Sequence, residues 1–200
     1  MKLSEKELLD LFYKIDNSFV GGEEENIKYQ SKYINAFPKN GHVLDLGCGK
    51  GAFLNLLRNN RFTCTGIDMD EKNINHCLER GLNVFKEDAF NHLDNYPHSY
   101  DGIFMAHMIE HYPALDAVKL LVLCFESLKE NGTLVIITPN FSVNQVHESN
   151  FWLSSTHIRP YPLQWLNNAL TLIGFTVTNM GYDQDSPLLD TAIIASKISN

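Results

Sequence analysis

The sequence predicts an α/β fold: a doubly wound, mostly parallel sheet with helices on both faces and a C-terminal antiparallel hairpin. Two observations carry this. From residue 43 to 138, short apolar runs alternate with stretches of helical periodicity, and the runs are continuously apolar, as in TLVIIT at 133–138. Such runs suit a parallel sheet covered on both faces. Near the end, two strand-like segments are joined by a short Asp/Ser/Pro stretch, as an antiparallel pair would be.

Each element has its own signal. Ser4 and Glu7 make a capping box, and Leu8, Leu11, Phe12 and Ile15 then recur at helical spacing. Residues 18–26 are expected as a glycine and glutamate loop. A short helix over 27–37 stops at Pro38. Strand 43–47 leads to helix 51–59, strand 62–67 to helix 71–80, and strand 83–87 to an irregular stretch holding Pro97. Strand 101–106 precedes a helix from Pro113 to Lys129, which Asn131-Gly132 ends. Pro139 stops strand 133–138. Residues 139–160 read as a long loop, of the kind that serves a binding site. A helix over 161–173 ends at Gly174, and strands 175–182 and 190–197 follow.

Bulk properties narrow the function. The 200 residues suit one domain, and 44% hydrophobic residues can fill its core. The net charge of −8 disfavours a nucleic-acid partner, because no basic stripe offers phosphate contacts. No apolar run is long enough to span a membrane. Residues 1–10 hold no apolar signal core. Cys48, Cys64, Cys77 and Cys124 form no C-x-x-C pair and read as reduced cytoplasmic thiols.

VLDLGCGKG at 43–51 is the most informative stretch. A buried strand breaks into glycines 47, 49 and 51, so the backbone can turn tightly and approach a ligand. The helix that follows aims its first N–H groups at the turn. Turns of this type hold a dinucleotide or S-adenosylmethionine. The dinucleotide fingerprint is G-x-G-x-x-G, whereas the spacing here is G-x-G-x-G. Asp45 stands within the strand, where an acid is costly without a positive ligand group or backbone donors. An amino-acid ammonium suits it and a pyrophosphate does not. Asp68 ends the second strand, where a carboxylate can accept both ribose hydroxyls. Asp88 ends the third, where it can accept from an adenine amino group or cap a helix. Asp70 is the better helix cap of the pair 68 and 70.

These segments resemble the class I S-adenosylmethionine-dependent methyltransferases. VLDLGCGKG, TGIDMD, KEDAF, SYDGIFMAHMIEH and LKENGTLVIITPN follow that family's order over residues 42–140, and GF…LLDTAIIASK resembles its final hairpin. The resemblance implies a seven-stranded sheet of order 3-2-1-4-5-7-6 with the last-placed strand antiparallel. It implies an N-terminal helical segment, 1–40, on a Rossmann-like domain, 41–200, with a substrate loop at about 139–161. Gly47 and Gly49 would then shape the methionine pocket near Asp45. Asp68 would hold the ribose and Met69 lie against the adenine. Asp88 and Ala89 would read the adenine edge, and Ala106 and His107 border the sulfonium. FVGGEEENIKYQSKYI and TPNFSVNQVHESNFWLSSTHIRPYP also resemble enzymes associated with surface-polysaccharide and glycolipid synthesis. Phe19-Val20-Gly21 stands where that subgroup has F-R-G.

Methyl transfer to a neutral hydroxyl needs a proton acceptor, and histidine titrates near neutrality. His107 and His157 are the candidates. Arg159 suits an anionic acceptor group, Tyr161 lies beside it, and Trp152 can serve as a platform for a sugar ring. No metal is expected. The alternative is a divalent site at His107, Glu110 and His111, whose i, i+3, i+4 spacing gathers them on one helical face. The expected acceptor is a small molecule, glycan or glycolipid, methylated at oxygen. The competing readings are a cofactor-binding protein without turnover and a nicotinamide oxidoreductase.

Overall fold

A computed structural model describes residues 3–18 and 23–198; Phe19-Val20-Gly21 lies outside them. One sheet has the order β3-β2-β1-β4-β5-β7-β6, as the resemblance implied. β1 (His42–Leu46), β2 (Thr63–Asp68), β3 (Val84–Lys86), β4 (Tyr100–Ala106) and β5 (Leu128–Thr138) pair in parallel. β7 (Thr191–Ser196) runs antiparallel between β5 and β6 (Thr176–Tyr182).

Strand periodicity divides the core in two. Leu44, Leu46, Ile103, Met105, Leu134 and Ile136 share one cluster with residues of α5 (Ala89–Asn95), α6 (Ala114–Ser127) and α8 (Leu163–Ile173). Val43, Phe104, Val135 and Ile137, their alternates, pack with Tyr29 of α2 (Glu23–Gln30), Tyr33, Ile34 and Phe37 after it, and Phe53 and Leu57 of α3 (Ala52–Asn59). α4 (Glu71–Glu79) closes this second face through Ile74 and Cys77. Successive side chains of a strand point to opposite faces, so each strand supplies both clusters. The winding reverses between β1 and β4, which opens a crevice at their carboxyl ends.

The expected capping box is present: the Glu7 N–H donates to Ser4 Oγ (3.3 Å) and Glu7 Oε2 accepts from the Ser4 N–H (2.7 Å). It opens α1 (Glu5–Asn17), whose Leu8, Leu11, Phe12 and Ile15 remain exposed. The helix expected over 27–37 is instead α2 followed by a 3-10 turn, Ser31–Ala36. The irregular stretch expected after β3 contains α5, too short to show periodicity and capped by Asp88. β5 begins at Leu128, inside the helix expected to reach Lys129. The late loop carries a π turn, Val146–Asn150, and the single turn α7, Phe151–Leu153.

Gly102 lets Phe37 lie on the sheet. A Cβ there would sit 2.2 Å from Phe37 Cδ1. Gly102→Ala is expected to lower stability by about 1–3 kcal/mol, read as a lower urea midpoint at unchanged slope. An unchanged midpoint would show that the ring is not held there.

Candidate active site at the strand tips

The glycine turn builds one wall of the crevice. The Gly47 and Cys48 N–H groups both donate to the Ile67 carbonyl at 2.9 Å, tying the turn to β2. Gly49 has φ +52°, and a Cβ on it would meet no atom within 4 Å, so this face of the turn is open. Gly51 has φ +79° and packs tightly: a Cβ would lie 2.5 Å from Leu82 and 2.9 Å from Cys77. It therefore packs α3 against α4, the task that the last glycine of a dinucleotide fingerprint performs.

Three acids stand at neighbouring strand tips. Asp45 is buried near the end of β1. Burial, with Cys77 and Asp68 nearby, holds its pKa well above the usual carboxylate range. Asp68 accepts from the Gly49 N–H at Oδ2 (2.9 Å) and from the Asp70 N–H (2.7 Å) and Asn73 Nδ2 (3.5 Å) at Oδ1, leaving a lone pair on Oδ2. Asp70 caps α4 through the Lys72 N–H, as expected. Asp88 caps α5, Oδ1 accepting from Phe90 (3.0 Å) and Asn91 (3.1 Å). Only its Oδ2 remains for another donor. Met69 is 63% exposed just past β2, and Ala89 is buried at the start of α5.

β4 ends in a polar cluster. Ala106 is its last residue, and His107 has φ +52°, uncommon for a side chain with a Cβ. His107 Nε2 lies 3.2 Å from Asp190 Oδ2 and 3.3 Å from the Tyr29 hydroxyl; Nδ1 lies 3.6 Å from Glu110 Oε1. Lost hydration pulls the imidazole pKa down, but Asp190, Glu110 and Tyr29 outweigh it and lift it well above the usual value. Carboxylates on both sides of the ring thus favour its charged form. Glu110 is fully buried, and Oε2 accepts from Thr138 Oγ1 at 2.9 Å. Burial would raise its pKa, but His107 and His111 bring it below the usual value. Oε1 has no hydrogen-bond partner among the described residues.

The late loop meets this cluster. The Ile158 and Arg159 N–H groups donate to the Glu110 carbonyl at 2.8 and 3.2 Å. His157 Nδ1 donates to the Phe151 carbonyl at 2.6 Å, which leaves Nε2 as the bare nitrogen, 3.8 Å from Glu110 Oε1. Burial first, then His111 and His107, depress its pKa against the pull of Glu110. Ligand atoms of Glu110, His111 and His157 lie within 4.8 Å of one another. His107, expected with Glu110 and His111 from their spacing, is not in this set; its nitrogens face Asp190, Tyr29 and Glu110. Arg159 lies over the Tyr161 and Trp165 rings at 5.1 and 5.8 Å, with no ion-pair partner among the described residues. Tyr161 is 1% exposed and its hydroxyl donates to the Tyr112 carbonyl (2.7 Å). It supports Arg159 from the core and does not face an acceptor. Trp152 is 58% exposed, its indole N–H donating to the His147 carbonyl.

Asp190, Tyr29 and Thr138 did not stand out in the sequence. Asp190 sits in a turn where acids are ordinary, and only the fold brings it to β4.

A family model described as a methyltransferase domain matches residues 23–179. The chain belongs to that methyltransferase family. Its fold and relatives are those of the class I S-adenosylmethionine-dependent enzymes. A structure described as a SAM-dependent methyltransferase from Archaeoglobus fulgidus superposes with a TM-score of 0.81 at 26% identity, covering 93% of this chain and 99% of that one. One from Thermotoga maritima, described as a possible histamine N-methyltransferase, shares the fold at TM-score 0.69 and 18% identity, over 88% and 90% of the two chains. The ubiquinone biosynthesis O-methyltransferase of Saccharophagus degradans is 30% identical over 147 residues, 64% of this chain and 61% of that protein. The chain thus spans less than two thirds of that relative. Among the described residues, no helix is long and apolar enough to cross a membrane. The site fits the methyl donor: Asp45 has no ion-pair partner among the described residues, Asp68 Oδ2 keeps a lone pair, and the open face of Gly49 leaves room for a ligand.

The Asp190–His107 pair yields a pH signature. His107 binds its proton more tightly when folded, so its contribution is complete below the unfolded value of about 6.5. It is lost as pH rises through the raised folded value. Asp190→Asn is expected to cost more stability near pH 6 than near pH 9. The difference is about 1 kcal/mol or less, because one imidazole edge meets solvent. Equal losses at the two pH values, by urea unfolding, would contradict the ion pair.

Proposed function

We propose that the protein transfers the methyl group of S-adenosylmethionine to an oxygen of a small-molecule, glycan or glycolipid acceptor. The observation that carries this reading is the pairing of Asp45 and Asp68 around the open face of Gly49. When bound, the donor supplies an electrophilic methyl on a sulfonium. Asp45 would face its ammonium, with Gly47 and Gly49 shaping that pocket. Asp68 would accept the ribose hydroxyls, and Met69 would cover the adenine. Asp88 Oδ2 and the Ala89 backbone would meet the adenine edge, and Ala106 would border the sulfur.

Oxygen as acceptor atom is supported by the bare Nε2 of His157 beside the ionised Glu110. Nε2 can take a hydroxyl proton, and the imidazolium so formed is stabilised by the carboxylate. Arg159 is placed for an anionic group of the acceptor, and Trp152 for an apolar or sugar face. The name of the Saccharophagus degradans relative is consistent with O-methylation.

Two measurements test the reading. Asp68→Ala should weaken S-adenosylhomocysteine binding by about 1–3 kcal/mol in calorimetry; unchanged affinity contradicts the ribose assignment. Incubation with methyl-labelled S-adenosylmethionine and fractionated extract should transfer label to a base-stable, hydroxyl-derived ether. His157→Gln should slow that transfer about 10²–10⁴-fold without weakening S-adenosylhomocysteine. Tight binding with no transfer to any fraction would leave a binding protein instead.

A further inference from the structure

Two thiols lie directly beneath the cofactor turn. Cys48 is the turn residue between Gly47 and Gly49, and Cys77 projects from α4. The Cys77 side chain is the largest influence pushing the Cys48 thiol pKa up, followed by burial. Both also approach one acceptor, the Gly49 carbonyl, Cys77 Sγ at 3.4 Å and Cys48 Sγ at 3.9 Å. They fill the space that the glycines leave: a Cβ on Gly51 would lie 2.9 Å from Cys77 Sγ, and one on Gly66 would lie 2.9 Å from Cys48 Sγ. Both are thiols and both are buried. Gly49 is therefore pinned from two sides. Its N–H is held by Asp68 (2.9 Å) and its carbonyl by the sulfur pair.

We propose that Cys48 and Cys77 are a redox-modifiable pair, and that closing the disulfide between them disables the cofactor turn. The inference rests on the donor-binding reading of this turn. A low-molecular-weight disulfide such as oxidised glutathione is the oxidant. The thiolate of one cysteine attacks a glutathione sulfur, a mixed disulfide forms and one glutathione thiolate leaves. The second cysteine then attacks the protein-side sulfur of that mixed disulfide, and a second glutathione thiolate leaves. The two cysteines lose two protons and two electrons, and one glutathione disulfide becomes two thiols.

Two consequences follow. The Gly49 carbonyl loses both S–H donors at once. The sulfurs must also close to about 2.05 Å, which draws Cys48 and the turn toward α4 and away from Asp68. Cys77 and burial push the Cys48 pKa up and keep that thiol protonated while the turn is closed. Attack therefore proceeds from states in which the turn has lifted, and a bound nucleoside slows it.

The test uses the full chain, oxidised glutathione and S-adenosylhomocysteine. Non-reducing peptide mapping should recover a Cys48–Cys77 cross-link, and calorimetry should show affinity for S-adenosylhomocysteine reduced at least tenfold. Dithiothreitol should restore it. Cys77→Ser should be insensitive to the oxidant, whatever its own affinity; if that variant does not fold, Cys48→Ser takes its place. The proposal is overturned if mapping finds both thiols unlinked under conditions that oxidise the urea-unfolded chain. It is also overturned if the cross-link forms and affinity is unchanged. Reduced protein that fails to bind S-adenosylhomocysteine would overturn the donor reading as well. Binding that oxidation leaves intact would overturn this inference alone.

Discussion

A buried carboxylate without a full set of partners is costly, and two of them organise the ligand edge of this protein. Asp45 is buried with its pKa raised, and Glu110 Oε1 has no hydrogen-bond partner among the described residues. A core chosen for stability alone would replace both with apolar residues of similar volume. They stand on the two sides of the crevice where the winding reverses, one on β1 and the other past β4. The two acids are stabilised differently. Asp45 keeps its proton more readily, whereas Glu110 stays ionised through His107 and His111.

The second site exists only because distant segments converge on it. The turn before β7 supplies Asp190, α2 supplies Tyr29, and the late loop supplies His157. Their docking is held by ordinary bonds elsewhere. Lys32 and Tyr33 bind the Asp183 carboxylate, fixing the last hairpin against the N-terminal segment. Two backbone N–H groups of the late loop share the Glu110 carbonyl. Glu110 thus binds the loop through its backbone and meets His157 through its side chain.

The fold and the glycine turn were largely legible in the sequence, because both depend on local rules. Continuous apolar runs gave the parallel strands, and glycine spacing gave the turn. The Asp70 cap followed from its place one turn before an apolar helical face. The misreadings have physical causes. α5 is seven residues long and shows no period. β5 starts within LKENG because pairing of Leu128 with Tyr100 overrides the helical pattern running into it. Asp88 could be a cap or an adenine contact, and the structure shows its Oδ1 capping. The acceptor side was less legible. His107 was singled out by position, but its charge state depends on Asp190, eighty-three residues later. Tyr161 looked available beside Arg159, yet its hydroxyl is spent on Tyr112.

Local preference and global fold disagree most at β4's end. His107 adopts φ +52° where the chain could have used glycine or asparagine at lower cost. Strain of this kind persists only where the surroundings over-determine it, and here they do. The His107 N–H donates to the Ile137 carbonyl (2.8 Å), continuing the β4–β5 ladder, while the ring is clamped from both sides. Glycine would keep the backbone but abandon both carboxylates, and asparagine carries no positive charge. Histidine alone among the residues tolerated there supplies a cation of that reach. The strained backbone thus accompanies a ring held between Asp190 and Glu110 at the end of β4, where the fold brings both carboxylates together.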